Sequence, residues 1–204
     1  MTRPLILASA SPRRRHLLLE IGLPFEVVVP HVDESPPPGV PPERVAVELA
    51  GRKARAVAAL RPDALVLGAD TVVAEGRDII GKPANRADAV RILSQLSGSR
   101  HAVTTGVCLL DTAEGRELSD YVTTWVTMKP MTRQEIEAYV DSGEAYGKAG
   151  AYAIQETADR YVEKIEGSFS NVVGLPLERV RQMLAVLHVR QERIRQSDRN
   201  DSQA

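Results

Sequence analysis

Residues 64–71, reading Ala-Leu-Val-Leu-Gly-Ala-Asp-Thr, constrain the fold more than any other stretch of the chain. Ala64 to Ala69 is an apolar run of strand length with no polar alternate position, the pattern of a strand buried on both faces. The run then delivers Asp70 and Thr71. An ionised carboxylate at the end of a buried strand is costly to desolvate unless a cation, a metal or hydrogen-bond donors meet it, so Asp70 requires a partner. Lys82 is the nearest candidate. Val72 to Glu75 and Asp78 to Ile80 flank Gly76-Arg77 in a hairpin pattern, which would bring Lys82 back towards the Asp70 end of the strand. A lone aspartate at a strand end more often caps a turn. What sets this one apart is the set of residues that converge on it.

Leu5 to Ala8 reads as a first buried strand. Ser11 followed by Pro12 is an N-cap with proline at the first helical position, which predicts a helix carrying Arg13 to Ile21 and closed by Gly22. Arg13, Arg14 and Arg15 at that N-terminus oppose the helix dipole, so the arrangement calls for an anion, and the free amides and the hydroxyls of Ser9 and Ser11 suit phosphate. Arg15 is the one of the three that could simply point into solvent. Phe25 to Val29 is a second strand, and the proline-rich stretch from His31 to Pro42 is a loop holding Asp33 and Glu34. Two acids on a loop are commonly just solvated; near a polyphosphate site Glu34 becomes a candidate magnesium ligand.

Glu43 to Leu60 has helical periodicity through Val45, Leu49, Val57 and Leu60. Lys53 lies on that apolar face, where it either snorkels to the rim or points into a cleft. Arg52 and Arg55, on other faces, read as solvated. Further on, the pattern predicts a helix over Ala87 to Leu96, a hairpin of His101 to Asp111 with Leu118 to Met128, and a helix opened by the capping box Thr132/Glu135 and ending at Asp141. A strand from Tyr161 to Ile165 and a helix from Pro176 to Leu187 with Val180, Met183, Leu184 and Leu187 inward complete the ordered part. The stretch from Gly143 to Ala149 imitates a phosphate-binding P-loop but is one residue short between its glycines and ends in alanine where Ser or Thr is needed, so it is rejected.

Composition narrows the function classes. With 26 basic and 27 acidic residues in 204, the net charge of −1 offers no global field for nucleic acid or an anionic membrane. Cys108, the sole cysteine, sits in an apolar run and packs as a small hydrophobe, which removes disulfides within the chain. Neither a secretory leader nor an apolar run of membrane-spanning length is visible, and a cytoplasmic protein is the expectation. Residues 1–187 read as one domain, long enough for one substantial core or for two lobes around a cleft, and 188–204 as a polar, frayed tail.

Taken together, several stretches resemble one family. L-A-S-A-S-P-R-R-R from Leu7, V-D-E at Val32 to Glu34, Lys53-Ala54, G-A-D-T at Gly68 to Thr71, G-K-P at Gly81 to Pro83, K-A-G-A-Y-A-I-Q ending at Gln155, and I-E-G-S-F-S-N-V-V-G-L-P-L resemble the Maf nucleotide pyrophosphatases in order and spacing. The resemblance implies an α/β fold, a twisted mixed β-sheet with flanking helices and two lobes around a central cleft, similar to inosine triphosphate pyrophosphatases. It implies hydrolysis of a nucleoside triphosphate to monophosphate and pyrophosphate with a divalent metal, Mg2+ or Mn2+, and it admits a homodimer. Carried over by position, Asp70 is the proton acceptor for water and, with Glu34, a metal contact; Lys82 is a second catalytic residue. Ser9, Arg13, Arg14, Lys53, Thr71 and Gln155 are substrate contacts, Thr71 and Gln155 setting specificity. A-I-Q resembles the dTTP/UTP branch, with modified pyrimidine nucleotides as further substrates; the alternatives are the 7-methyl-GTP branch and a nucleotide-binding regulator of cell division without turnover. The chain departs from the family's pattern at Glu156, where glycine usually follows A-I-Q, and at Gly147, where an acid usually precedes K-A-G.

Overall fold

The computed structural model describes residues 3–154 and 157–187. The expected tail, 188–204, and Gln155 lie outside them. A seven-stranded mixed sheet is formed by β1 (Leu5–Ala8), β2 (Phe25–Val28), β3 (Leu65–Glu75), β4 (Asp78–Ile80), β5 (Arg100–Asp111), β6 (Arg116–Met128) and β7 (Val162–Glu166), in the order β2-β1-β3-β5-β6-β7 with β4 beside β3. β1 runs parallel to both β2 and β3, and every other pairing is antiparallel. The α/β expectation with a mixed sheet holds.

β3 is the central strand and, as its composition requires, is buried on both faces. Leu5, Leu7, Leu65, Leu67, Val107 and Leu109 pack on one side with Leu17 and Leu18 of α1 (Pro12–Leu19) and with Val180, Met183, Leu184 and Leu187 of a last helix, α6, over residues 177–187. Ile6, Ala8, Val66 and Cys108 face the other way, against Ala50, Ala54 and Val57 of α2 (Pro42–Ala58). A second core joins Val73, Val103, Val126 and Met128 to α3 (Arg86–Leu96) and α4 (Arg133–Asp141), making the other lobe. The capping box of Thr132 and Glu135 opens α4 as the sequence predicts. Leu60 falls beyond the end of α2 and is 72% exposed, so the apolar face of that helix ends at Val57. A short helix, α5 (Phe169–Val173), capped by Ser168, occupies a stretch whose sequence shows no helical period.

α2 lies unusually close to the sheet. A Cβ on Gly68 would come within 2.3 Å of the Ala50 carbonyl oxygen, and one on Gly106 within 2.3 Å of the Ala46 carbonyl. Glycines below and alanines above bring helix and strand backbones together, and this closeness decides what a side chain of α2 can reach.

The way β3 is partnered opens the cleft. Along one edge it pairs with β1 over Leu65–Gly68 and with β4 over Val73–Glu75. Among the described residues no strand flanks 69–72 on that side, although the opposite edge is paired with β5 from Leu65 to Ala74. Asp70 and Thr71 therefore sit where β1 has ended and β4 has not begun.

His101 on β5 is fully buried in the second lobe, its Nε2 2.7 Å from the Tyr152 hydroxyl. Burial pushes the ring's pKa down to about 4 from an ordinary 6.5, with the Glu75 charge opposing weakly. The unfolded chain takes up this proton near pH 6.5 and the folded chain near pH 4, so stability falls as pH drops through that window, by on the order of 3 kcal/mol in all. Urea unfolding between about pH 7 and about pH 4.5 should show the slope, and His101→Leu should flatten it while costing about 1–3 kcal/mol at neutral pH through the unpaired Tyr152 hydroxyl. An unchanged slope in the variant would place the acid sensitivity elsewhere.

Candidate functional site

Between the lobes lies a cleft of about 660 Å³, and Ser9, Arg13, Arg14, Glu34, Lys53, Asp70, Thr71 and Lys82 all line it. Every sequence-predicted site residue that the structure describes thus faces one cavity. Gln155 follows directly on Tyr152, Ala153 and Ile154, which also line the cleft.

Asp70, 8% exposed, finds its cation on α2. Lys53 Nζ lies 2.6 Å from Asp70 Oδ1 and 2.9 Å from Glu34 Oε1, so one buried ammonium bridges the two carboxylates. This corrects the expectation from the hairpin, which put Lys82 there. The hairpin forms, and Lys82 does return to the cleft, but it is 60% exposed on its side chain and meets Glu34 Oε2 at 3.4 Å. Lys53 wins because α2 rides so low on the sheet that a lysine on its apolar face reaches the gap in β3. Of the two readings of that lysine, pointing into the cleft is the correct one. Burial acts to raise the Glu34 carboxyl, and the hydrogen bond and charge of Lys53, with Lys82 behind it, overcome this and hold it below its usual value.

The start of α1 forms the other wall. Ser11 caps the helix by accepting from the Arg14 N–H, and Ser9 Oγ accepts from the Ser11 N–H at 3.1 Å. Arg15 is exposed and is not among the residues lining the cleft, whereas Arg14 turns inward. Its Nε donates to the Gly174 carbonyl at 2.8 Å and its Nη2 to Thr71 Oγ1 at 3.0 Å. Gly174, at φ +123°, holds a backbone that other residues rarely adopt, and so presents that carbonyl. Burial lowers the Arg14 pKa, while the charge of Asp70 works against it.

The directions of the bonds around Thr71 follow from counting protons. Thr105 Oγ1 lies 3.0 Å from the Asn171 carbonyl, which can only accept, so Thr105 spends its hydrogen there. Thr71 Oγ1, 2.9 Å away, must then donate to Thr105, while it accepts from Arg14. One lone pair of the Thr71 hydroxyl remains, and towards a ligand this side chain can only accept. Asn171, fully buried, anchors the relay: its Oδ1 accepts from the Thr105 N–H at 3.2 Å and its Nδ2 donates to the Val103 carbonyl at 2.9 Å and to Thr124 Oγ1 at 3.0 Å. Sequence reading missed Thr105 and Asn171 as parts of the site. The one signal in the sequence is that Asn171 falls within the I-E-G-S-F-S-N-V-V-G-L-P-L stretch; its immediate neighbours, Ser170 and Val172, do not mark it as a site residue.

For a metal, the described residues offer no group of three or more His, Cys, Asp or Glu side chains. They offer two carboxylates converging on one cation, and this fits Mg2+ or Mn2+ of the kind that takes one or two protein carboxylates and completes its shell with water and substrate phosphates. Asp33 is not a partner in that pair: it is exposed, and its Oδ1 accepts from the Ser35 N–H at 2.8 Å. No helix among the described residues is long and apolar enough to cross a membrane.

Among proteins of known name, the chain is 47% identical to a dTTP/UTP pyrophosphatase of Pelotomaculum thermopropionicum, over 89% of this chain and 95% of that one. It is 50% identical to a dTTP/UTP pyrophosphatase of Moorella thermoacetica, over 91% and 95% respectively. Among solved structures, a nucleoside-triphosphatase / dITP/XTP pyrophosphatase from Mycobacterium abscessus is similar at 16% identity with a TM-score of 0.39, covering 70% of this chain and 96% of that one, a likeness too slight to carry more. The profile of the Maf-like protein family matches residues 4–187. That span takes in both lobes and each residue lining the gap in β3, and this chain belongs to the Maf-like family.

Proposed function

We propose that the chain hydrolyses dTTP and UTP to the monophosphate and pyrophosphate. The observation that carries the reading is the bridge of Lys53 between Asp70 and Glu34, set opposite the arginine-bearing start of α1 across one cleft. Hydrolysis of a phosphoanhydride needs cations for the developing charge and a group that orients or deprotonates water. Arg13, Arg14, Lys53 and Lys82 hold the triphosphate, with Ser9 and the amides at the start of α1 beside them. Asp70, fixed by Lys53, accepts the proton of the attacking water. Asp70 and Glu34 would also hold a divalent metal, which when bound supplies charge neutralisation at the phosphates.

The names of the relatives support pyrimidine selection. Gln155 can donate and accept at once, matching the carbonyl and N–H edge shared by uracil and thymine, and Thr71 offers an acceptor. A nucleotide panel with Mg2+ or Mn2+, with products separated by anion exchange, tests both halves. Pyrophosphate and monophosphate should appear from dTTP and UTP, and Gln155→Ala should blur selection among bases by on the order of 1–3 kcal/mol. Orthophosphate as first product would overturn the product half. Faster turnover of ATP, GTP or 7-methyl-GTP would overturn the base half.

A further inference from the structure

We infer that Arg52 is a positioning residue that fixes the Glu34 carboxylate at the cleft; the inference rests on the reading of that cleft as a triphosphate hydrolase site. Glu34 stands on an irregular stretch, residues 29–37, that is neither helix nor strand, and Pro30, Pro36 and Pro37 remove three backbone donors from it. Such a loop does not hold a carboxylate in place by itself. Two contacts shape it around Glu34. Asp33 Oδ1 accepts from the Ser35 N–H at 2.8 Å, turning the chain at Glu34, and Arg52 Nη1 donates to the carbonyl oxygens of Asp33 and Ser35 at 3.3 and 3.2 Å. Those carbonyls belong to the residues on either side of Glu34. The guanidinium is itself steadied one helical turn away, where its Nε donates to Glu48 Oε1 at 3.0 Å.

The next residue of the helix completes the grip. Lys53 reaches Glu34 Oε1 at 2.9 Å from inside the cleft, while Arg52 holds the loop's main chain from outside. Consecutive residues of α2 thus grasp the backbone and the carboxylate of one loop residue. Without Arg52, Glu34 would keep its contact with Lys53 and the long 3.4 Å contact with the exposed Lys82, both made through the ends of flexible side chains. Its backbone would be free to drift, and the pair it makes with Asp70 would lose its spacing. The solvated reading of Arg52 is thereby replaced by a specific task. The sequence hides it, because the acceptors are main-chain carbonyls on a loop 17 and 19 residues away.

The test uses the full chain and two readouts. In Arg52→Ala, hydrogen exchange of the peptide spanning residues 29–41 should speed about tenfold, with the rest of the protein unchanged. In the same variant kcat/KM for UTP should fall about tenfold and the metal concentration for half-maximal rate should rise, whereas adding Arg52→Ala to Glu34→Gln should cost less than about twofold, because the residue acts through Glu34. Unchanged exchange overturns the inference, and so does a cost of Arg52→Ala that is the same in both backgrounds. If the wild-type protein releases no pyrophosphate from any triphosphate, the reading of the site fails, and the exchange measurement still decides whether Arg52 holds the loop. Should Arg52→Ala fail to fold, Glu48→Gln, which frees the guanidinium, carries the same cycle.

Discussion

Asp70→Asn is expected to lower pyrophosphate release from UTP and dTTP by ~100-fold to ~10,000-fold while leaving the protein folded and able to bind nucleotide. The substitution removes basicity and charge and keeps shape. Its amide oxygen can still accept from Lys53 Nζ, now 2.6 Å from Asp70 Oδ1, and Glu34 at 2.9 Å continues to neutralise the ammonium. No buried charge is left alone, so the melting temperature should move little. Single-turnover kinetics beside a nucleotide-binding titration separate the effects. Retention of more than about a tenth of wild-type turnover would remove Asp70 from the role of proton acceptor.

The second large effect ranks the two lysines. Lys53→Met should cost about 100-fold or more in kcat/KM and Lys82→Met no more than about tenfold, as expected when one preorganised, water-shielded cation is compared with one at the rim. Lys53 is 5% exposed and meets two carboxylates, whereas Lys82 is 60% exposed on its side chain and meets one at 3.4 Å. Screening by solvent weakens what the outer lysine can contribute. Lys53→Met should also destabilise the fold, by up to ~3–5 kcal/mol, because Asp70 would stay buried without its cation. Parallel kinetics and urea melts on the two variants test the ranking, and a Lys82→Met variant slower than Lys53→Met would reverse it.

Nucleotide hydrolysis would thus hang on a lysine that periodicity alone left with two readings. The spacing of Lys53 from Leu49 and Val57 puts it on the apolar face of α2, and nothing local says whether its ammonium escapes to the rim or is drawn inward. What draws it inward is the pair of carboxylates waiting at the gap in β3, one on a strand and one on a loop.

Local signals carried much of the fold. The unbroken apolar run of 64–69, the Ser11-Pro12 start of α1, the hairpin turn at Gly76-Arg77, the Thr132/Glu135 capping box and the inward face of α6 each depend on residues a few positions apart, and all are present in the structure. The motifs also singled out nine site residues, and the eight that the structure describes line the cleft, Gln155 lying outside the described residues. Other features were set only by the way distant elements meet. Arg55, which looked solvated, pairs with Glu117 of β6 at 2.8 Å across 62 residues. The relay from Arg14 through Thr71 and Thr105 to Asn171 joins four elements that share no sequence neighbourhood. The cation at Asp70 is Lys53 and not Lys82 for the same reason. Distance along the chain favoured Lys82, but the separation in space is set by where β1 stops and β4 starts along β3, and by how far Gly68 and Gly106 let α2 sink towards the sheet. A sequence shows which charges a buried strand end must find, and only the packing of a helix against that strand determines which one arrives.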